Sequence, residues 1–380
     1  MSTVTKIGIL IPQSKQYKTL DRDFIRGIKL NNLNAQYYVE SIGIGANEQL
    51  IIDKIQKLYF QEGINIIIGF FGHHNMSRVY EYASDNDILL IASDIGATVP
   101  YGMKKQKGVY INSYGLTESC FLLGNHFSEK NYDKIATATS YYDSGYGMLS
   151  AIETSLNKSN MMFSGHYITP FYPRENEAEC MQLTLDHYKP EVVFAFYSGL
   201  YAEENASFIR TNKVAQHYTF YTTPFAINES IISEYQTQAF PLYVVASWFE
   251  NFAHTSDCSF NIQFKEQYDD AVTVFALLGY ENGALLANLL ETAESTDTRT
   301  LLRHISTVKI EGPRGSIQFD SETNRTKFDH HIYKLERNSD DQVLFERVST
   351  LVNEGHFIAE VTEQDMPPKI GGWQNAYLCH

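Results

Sequence analysis

At 380 residues the chain is long for one hydrophobic core, so two domains are the default. Its composition, 43% hydrophobic and 20% charged, fits an ordered globular protein, and a formal net charge of −15 argues against nucleic acid as a partner, because such binding depends on neutralising phosphates. No apolar run approaches the ~20 residues that span a bilayer, so membrane insertion by a helix is not expected.

Met1 to Lys6 lead straight into an apolar strand without the hydrophobic stretch of a signal peptide. The expectation is a chain that either acts in the cytoplasm or is exported and has lost its leader. Cys120, Cys180, Cys258 and Cys379 are far apart and lack C-x-x-C spacing, which fits reduced, buried thiols and gives no disulfide framework or zinc site.

Lys6–Pro12, KIGILIP, is short, continuous and apolar, the pattern of a strand buried in a parallel sheet. Gln13–Asp21 is a polar loop holding Ser14 and Tyr17. Phe24, Ile25, Ile28 and Leu30 predict a helix over Asp23–Asn31, and Gln36–Ser41 is a second strand. Leu50, Ile51, Ile55 and Leu58 predict a helix over Ala46–Gln61, followed by a strand over Ile64–Ile68 and a loop from Phe70 to Asn75. A helix over Ser77–Ala83, strands over Ile88–Ile91 and Val109–Tyr114, and a helix over Thr117–Phe127 follow. The pattern then restarts, with strands over Lys134–Thr139, Ser164–Ile168, Val192–Tyr197, Thr219–Tyr221 and Leu242–Ser247. Helices running to Leu156, over Glu177–His187 and over Ala202–Ala215 lie between them. Beyond Trp248, helices are predicted over Asn261–Tyr268 and Val272–Thr292, then strands over Gly315–Phe319, Asp329–Glu336 and Val343–Val348. Pro367 to His380, with Pro-Pro and Gly-Gly, reads as a loose tail. Strand–helix alternation implies doubly wound parallel sheets with right-handed crossovers. Two such units in succession imply a bilobed α/β protein with a cleft between the lobes.

The stretch ILLIASDIGATVPY, Ile88–Tyr101, organises the functional reading. A buried strand stops at a turn of small and polar residues, leaving backbone N–H groups and the Thr98 hydroxyl at the sheet's carboxyl edge, where open α/β sheets bind small polar ligands. No nucleophile, base or metal cluster stands beside it in sequence. Dinucleotide, Walker, G-x-S-x-G and H-E-x-x-H patterns are absent. The reading is a binder, not an enzyme, with no cofactor.

Several segments together resemble the type I periplasmic ligand-binding proteins of the branched-chain amino-acid group, which includes related amide sensors and receptor ligand-binding domains. These are KIGILIPQS, GIKL, INIIIG, ILLIASDIGATVP, YYDSGYG, PEVVFAFYSGLY, GYENGALLANLLE and GPRGSIQFD followed by an N-R-T-K turn. The resemblance implies two Rossmann-like doubly wound lobes joined by three hinge crossings, near Tyr114–Glu118, Ser247–Phe252 and Glu322–Lys327. It divides the chain into an N-terminal lobe (1–117 with 250–324), a C-terminal lobe (118–249 with 325–365) and a tail (366–380). It further implies closure on one small polar ligand, amino-acid-like, amide or carboxylic acid. The implied partner is an ABC permease, or alternatively a regulatory protein.

The resemblance also carries site residues. Gly96, Ala97 and Thr98 match the turn that holds a ligand carboxylate. His73, His74 and Asn75 stand where the family offers serines, Tyr146 matches the second-lobe tyrosine, and Tyr201 follows PEVVFAFYSG. The loop expected to carry an acidic residue for a ligand ammonium reads TTPFA, with Phe225 and no carboxylate. That departure argues against an ordinary α-amino acid. Plainer roles compete: Thr98 as a helix N-cap, Tyr146 as core packing, Asp143 as a helix cap and Glu118 as a solvated helix-start carboxylate. Adjacent His73 and His74 point opposite ways when extended and do not easily share a metal. An enzymatic reading would pair His73 with Asp143 or Glu118. Trp248, Tyr17 and Leu20 are weaker candidates, and His330-His331 is read as structural.

Overall fold

The strand–helix alternation is realised as two separate sheets in the computed structural model, which describes residues 4–72, 76–212, 217–249, 258–338 and 342–365, together with Trp373, Asn375 and Tyr377. The first unit runs β1 (Thr5–Ile11), α1 (Leu20–Lys29), β2 (Ala35–Ser41), α2 (Glu48–Glu62), β3 (Ile66–Phe70), α3 (Ser77–Asp85), β4 (Leu89–Asp94) and β5 (Val109–Ser113). Its sheet is parallel, ordered β2-β1-β3-β4-β5. Every residue of β3, β4 and β5 is buried, which accounts for the apolar runs that open β4 and β5 before their polar carboxyl ends.

The second unit runs α4 (Leu116–Glu129), β6 (Ile135–Thr139), α5 (Met148–Lys158), β7 (Phe163–Ile168), α6 (Glu177–Tyr188), β8 (Val192–Phe196), α7 (Tyr201–Asn212), β9 (Thr219–Thr222), α8 (Glu229–Thr237) and β10 (Leu242–Ala246). The chain then returns to the first lobe as α9 (Ser259–Tyr268), α10 (Val274–Thr292), α11 (Thr298–His304) and the hairpin β11 (Lys309–Gly312) and β12 (Gly315–Gln318). It crosses again to β13 (His330–Arg337), β14 (Val343–Leu351) and α12 (His356–Glu363). The second sheet is ordered β14-β13-β10-β9-β8-β6-β7, parallel except where β13 pairs with β10 and β14. Helix α10 seals the first lobe by lying so close to α1 that a Cβ on Gly27 would fall 2.1 Å from the Ala276 carbonyl oxygen.

The differences from the predicted elements have local causes. The strand expected over Ile64–Ile68 starts two residues later, because Gly63, at φ 68°, ends α2 and Ile64 N–H is spent on the Leu58 carbonyl. Helix α1 starts at Leu20 rather than Asp23, with Asp23 accepting from the Thr19 hydroxyl at 2.6 Å. Helix α10 starts at Val274, capped by the Thr273 side chain. Helices α8, α11 and α12 and strand β11 were not anticipated. Beyond Arg325, which bridges in parallel to Ile111 at the edge of the first sheet, the chain reaches β13 only at His330. The third crossing therefore lies between Arg325 and His330, overlapping the end of the expected Glu322–Lys327. Part of the expected loose tail, with Cys379, lies outside the described residues, but Trp373, Asn375 and Tyr377 are packed, and Tyr377 is fully buried.

Candidate functional site

The carboxyl edges of the two sheets face one another across the cleft. On the first lobe, β4 runs into the turn Ile95–Thr98. Gly96 takes φ 71°, and a Cβ there would lie 2.8 Å from Ser113 Oγ and 2.9 Å from Gly115 N. The carbonyls of Asp94, Ile95 and Gly96 accept from the N–H groups of Tyr114, Leu116 and Thr117 at 2.9, 3.1 and 2.9 Å. The turn thus anchors the first hinge crossing and the start of α4. Thr98 is half-buried and caps no helix, since the next one begins at Leu116, and its hydroxyl has no hydrogen-bond partner among the described residues. His73, His74 and Asn75 lie outside the described residues.

On the second lobe, the loop after β6 folds back through a short turn at Asp143–Gly145. Asp143 is not a helix cap. Its buried carboxylate accepts from Ser140 Oγ at 2.6 Å and, across to the loop after β8, from Ser198 N at 2.8 Å and Ser198 Oγ at 2.5 Å. Burial nevertheless pushes its pKa up to about 6, against the pull of those hydrogen bonds. Tyr146 is buried, and its hydroxyl donates within the core to Asn375 Oδ1 and Tyr377 O. Gly147 N–H donates to Ala97 O at 2.7 Å, a direct backbone bond between the lobes. Half-buried Tyr201 tilts against Tyr142, with centroids 5.4 Å apart.

Aromatic side chains fill the space between. Phe225, in the loop after β9, stands edge-on to Tyr17 of the first lobe at 6.3 Å and to Tyr114 of the hinge at 5.9 Å. Beside it a cavity of about 160 Å³ is lined by Tyr114, Pro224, Phe225, Trp248, Val272 and Thr273, among others. Leu20 is core, and Glu118, expected to be solvated, is buried under the third crossing. Burial raises its carboxyl pKa, while Arg325 pulls it down. His330 is structural, with Nδ1 2.7 Å from Ser119 Oγ. Among the described residues no group of His, Cys, Asp or Glu is placed to hold a metal.

Sequence reasoning missed a set of polar atoms at the carboxyl edge of the second sheet. The hydroxyls of Thr139, Thr222 and Thr223 and the indole N–H of Trp248 are buried without a hydrogen-bond partner among the described residues. Buried polar groups are nearly always satisfied, so four at one sheet edge call for an occupant. The only signal in the sequence was their position at strand ends.

The fold has solved counterparts. A substrate-binding protein of an ABC transporter from Sphaerobacter thermophilus superposes with a TM-score of 0.75 at 14% identity, covering 92% of this chain and 98% of its own. A solute-binding protein of an ABC transporter from R. palustris, solved in complex with benzoate, gives 0.67 at 17% identity over 93% and 98%. A leucine-binding protein from Thermotoga maritima gives 0.64 at 14% identity over 92% and 99%. No curated protein matches the sequence. Residues 5–341 match the family model described as periplasmic binding protein, and the chain belongs to that family.

Proposed function

We propose that the protein is a non-enzymatic receptor that closes its lobes on a small carboxylic acid lacking an α-ammonium group, with an aromatic acid the best fit, and presents it to an ABC permease. The observation that carries this reading is that the loop after β9 offers no carboxylate for an ammonium. The loop after β9 reads TTPFA, and both oxygens of Asp143 are engaged by Ser140 and Ser198. The unpartnered donors of Thr222, Thr223 and Trp248, with the hydroxyl of Thr98 opposite, suit an anion, and the aromatic wall at Phe225 suits a flat apolar body. The 160 Å³ cavity is small beside the roughly 300–1,000 Å³ of drug-sized pockets, which favours a compact ligand. Related structures in complex with benzoate and with 4-hydroxybenzoate support the same ligand class.

The reading takes Gly96, Ala97, Thr98, Tyr146, Tyr201 and Phe225 as wall residues; His73, His74 and Asn75, its other candidates, lie outside the described residues. Its lobe limits are 1–117 with 250–324 and 118–249 with 325–365. Native mass spectrometry of the protein incubated with an equimolar mixture of benzoate, 4-hydroxybenzoate and leucine tests it. One acid retained per chain is the expected result. Retention of leucine, or of nothing, would overturn the ligand class.

A further inference from the structure

The residues that hold Tyr146 come from the far end of the chain. Trp373 donates its backbone N–H to Gly145 O at 3.3 Å and its indole N–H to Tyr142 O at 2.6 Å, with its ring tilted over Tyr142 at 5.3 Å. Gly145 makes room for it: a Cβ there would fall 2.4 Å from the indole nitrogen. The Tyr146 hydroxyl lies 2.9 Å from Asn375 Oδ1 and 2.8 Å from Tyr377 O. Tyr377, fully buried, donates its own hydroxyl to Gln13 O at 2.7 Å, beyond the end of β1 on the other lobe. Trp373, Asn375 and Tyr377 thus bond to loops at the carboxyl edges of both sheets. A tail adhering nonspecifically would not bury a tyrosine completely with its hydroxyl satisfied.

We propose that the segment carrying Trp373, Asn375 and Tyr377 is an intramolecular ligand of the interlobe cleft, seated on Tyr142, Gly145 and Tyr146 and clasped by Gln13, so that an external ligand binds in competition with it. The inference rests on the cleft being the binding site proposed above. A tethered occupant acts at an effective concentration in the millimolar range, and the apparent affinity of a competitor falls by the fraction of clefts left free. The receptor is then partly closed without ligand and responds only to a ligand abundant enough to expel the segment.

The test uses the full chain and its Trp373→Ala/Tyr377→Ala variant, with a synthetic peptide of residues 366–380 added in trans. In the wild type, the tryptophan emission that a Trp373→Phe variant removes is expected to be shielded from acrylamide. The peptide is expected to bind the double variant at least about tenfold more tightly than the wild type, whose cleft is filled. Adding Gly145→Ala to the double variant should abolish that binding. 4-Hydroxybenzoate should also bind the double variant about tenfold more tightly than the wild type. Free quenching of Trp373 in the wild type, equal peptide binding to both proteins, insensitivity to Gly145→Ala, or equal affinity of both proteins for the acid would each overturn the proposal. Should no acid bind either protein while the peptide behaves as expected, the acid reading falls and the intramolecular ligand stands.

Discussion

A carboxylate gripped by two serines is the residue on which the choice of ligand turns. Asp143 ties the loop after β6 to the loop after β8 and so shapes the second-lobe wall without offering itself to a ligand. Its titration provides a check. The folded pKa, about 6, lies above the ordinary 3.8, so the folded state holds the proton more tightly. The stabilisation is complete below pH 4 and is lost as the pH rises through about 6, amounting to about 3 kcal/mol over the window. Denaturant unfolding of wild type and Asp143→Asn should therefore give a stability difference that moves against the wild type between pH 4 and 6. A flat difference would mean that Asp143 is ionised throughout. At this scale the sequence was only partly legible. Tyr146 is held by Asn375 and Tyr377, and Phe225 stands edge-on to Tyr17 and Tyr114, contacts that no local pattern announces. Gly96 packs closely against Ser113 and Gly115, and Glu118, expected to be solvated, is buried because Arg325 and its neighbours reach it from a distant part of the chain. Nothing in the order of Thr222 and Thr223 announced hydroxyls left without partners.

Among the elements, the hairpin β11–β12 does more than decorate the first lobe. Arg314, at its turn, is completely buried as a side chain and paired with Glu281 of α10 at 2.5 Å. It also donates to Ser113 O at 2.8 Å and Asn112 Oδ1 at 3.0 Å, and reaches Ser247 Oγ at 3.4 Å. Asn112 in turn accepts from Thr326 Oγ1 at 3.0 Å. One guanidinium thereby ties α10 to the three places where the chain enters or leaves a crossing. Glu281→Ala should destabilise the protein by about 3–5 kcal/mol, because it strands a buried cation. Chemical denaturation measures this, and a loss below about 1 kcal/mol would mean that water or another acid reaches Arg314. Most strands and the long helices were readable from apolar runs and periodicity, whereas the short helices α8, α11 and α12 and strand β11 were not. Asn228 and Asp297 do cap α8 and α11, but each opens fewer than three turns, too little for periodicity to register. Arg314 resembled an exposed turn residue, since arginine is rarely buried unless paired.

As a whole the molecule holds two doubly wound lobes in contact across the cleft. Gly147 marks a tight backbone approach between them: a Cβ would fall 2.8 Å from Val99 N and 3.1 Å from Ala97 O. Gly147→Ala should wedge the lobes apart while leaving each folded, raising the radius of gyration in small-angle scattering and weakening ligand binding about tenfold or more. Unchanged scattering and affinity would show that the lobes tolerate the methyl group. The bilobed plan was legible because the alternation restarts after Phe127. The docking of the C-terminal segment was not, because Pro-Pro and Gly-Gly dominate its composition while three single side chains anchor it. The most direct test of ligand-driven closure is isothermal titration calorimetry of 4-hydroxybenzoate and of leucine, at several temperatures, into the full chain and its Trp373→Ala/Tyr377→Ala variant. The account predicts one acid per chain, with a negative heat-capacity change from apolar burial. Binding of leucine in preference to the acid, or no heat with either, would contradict it.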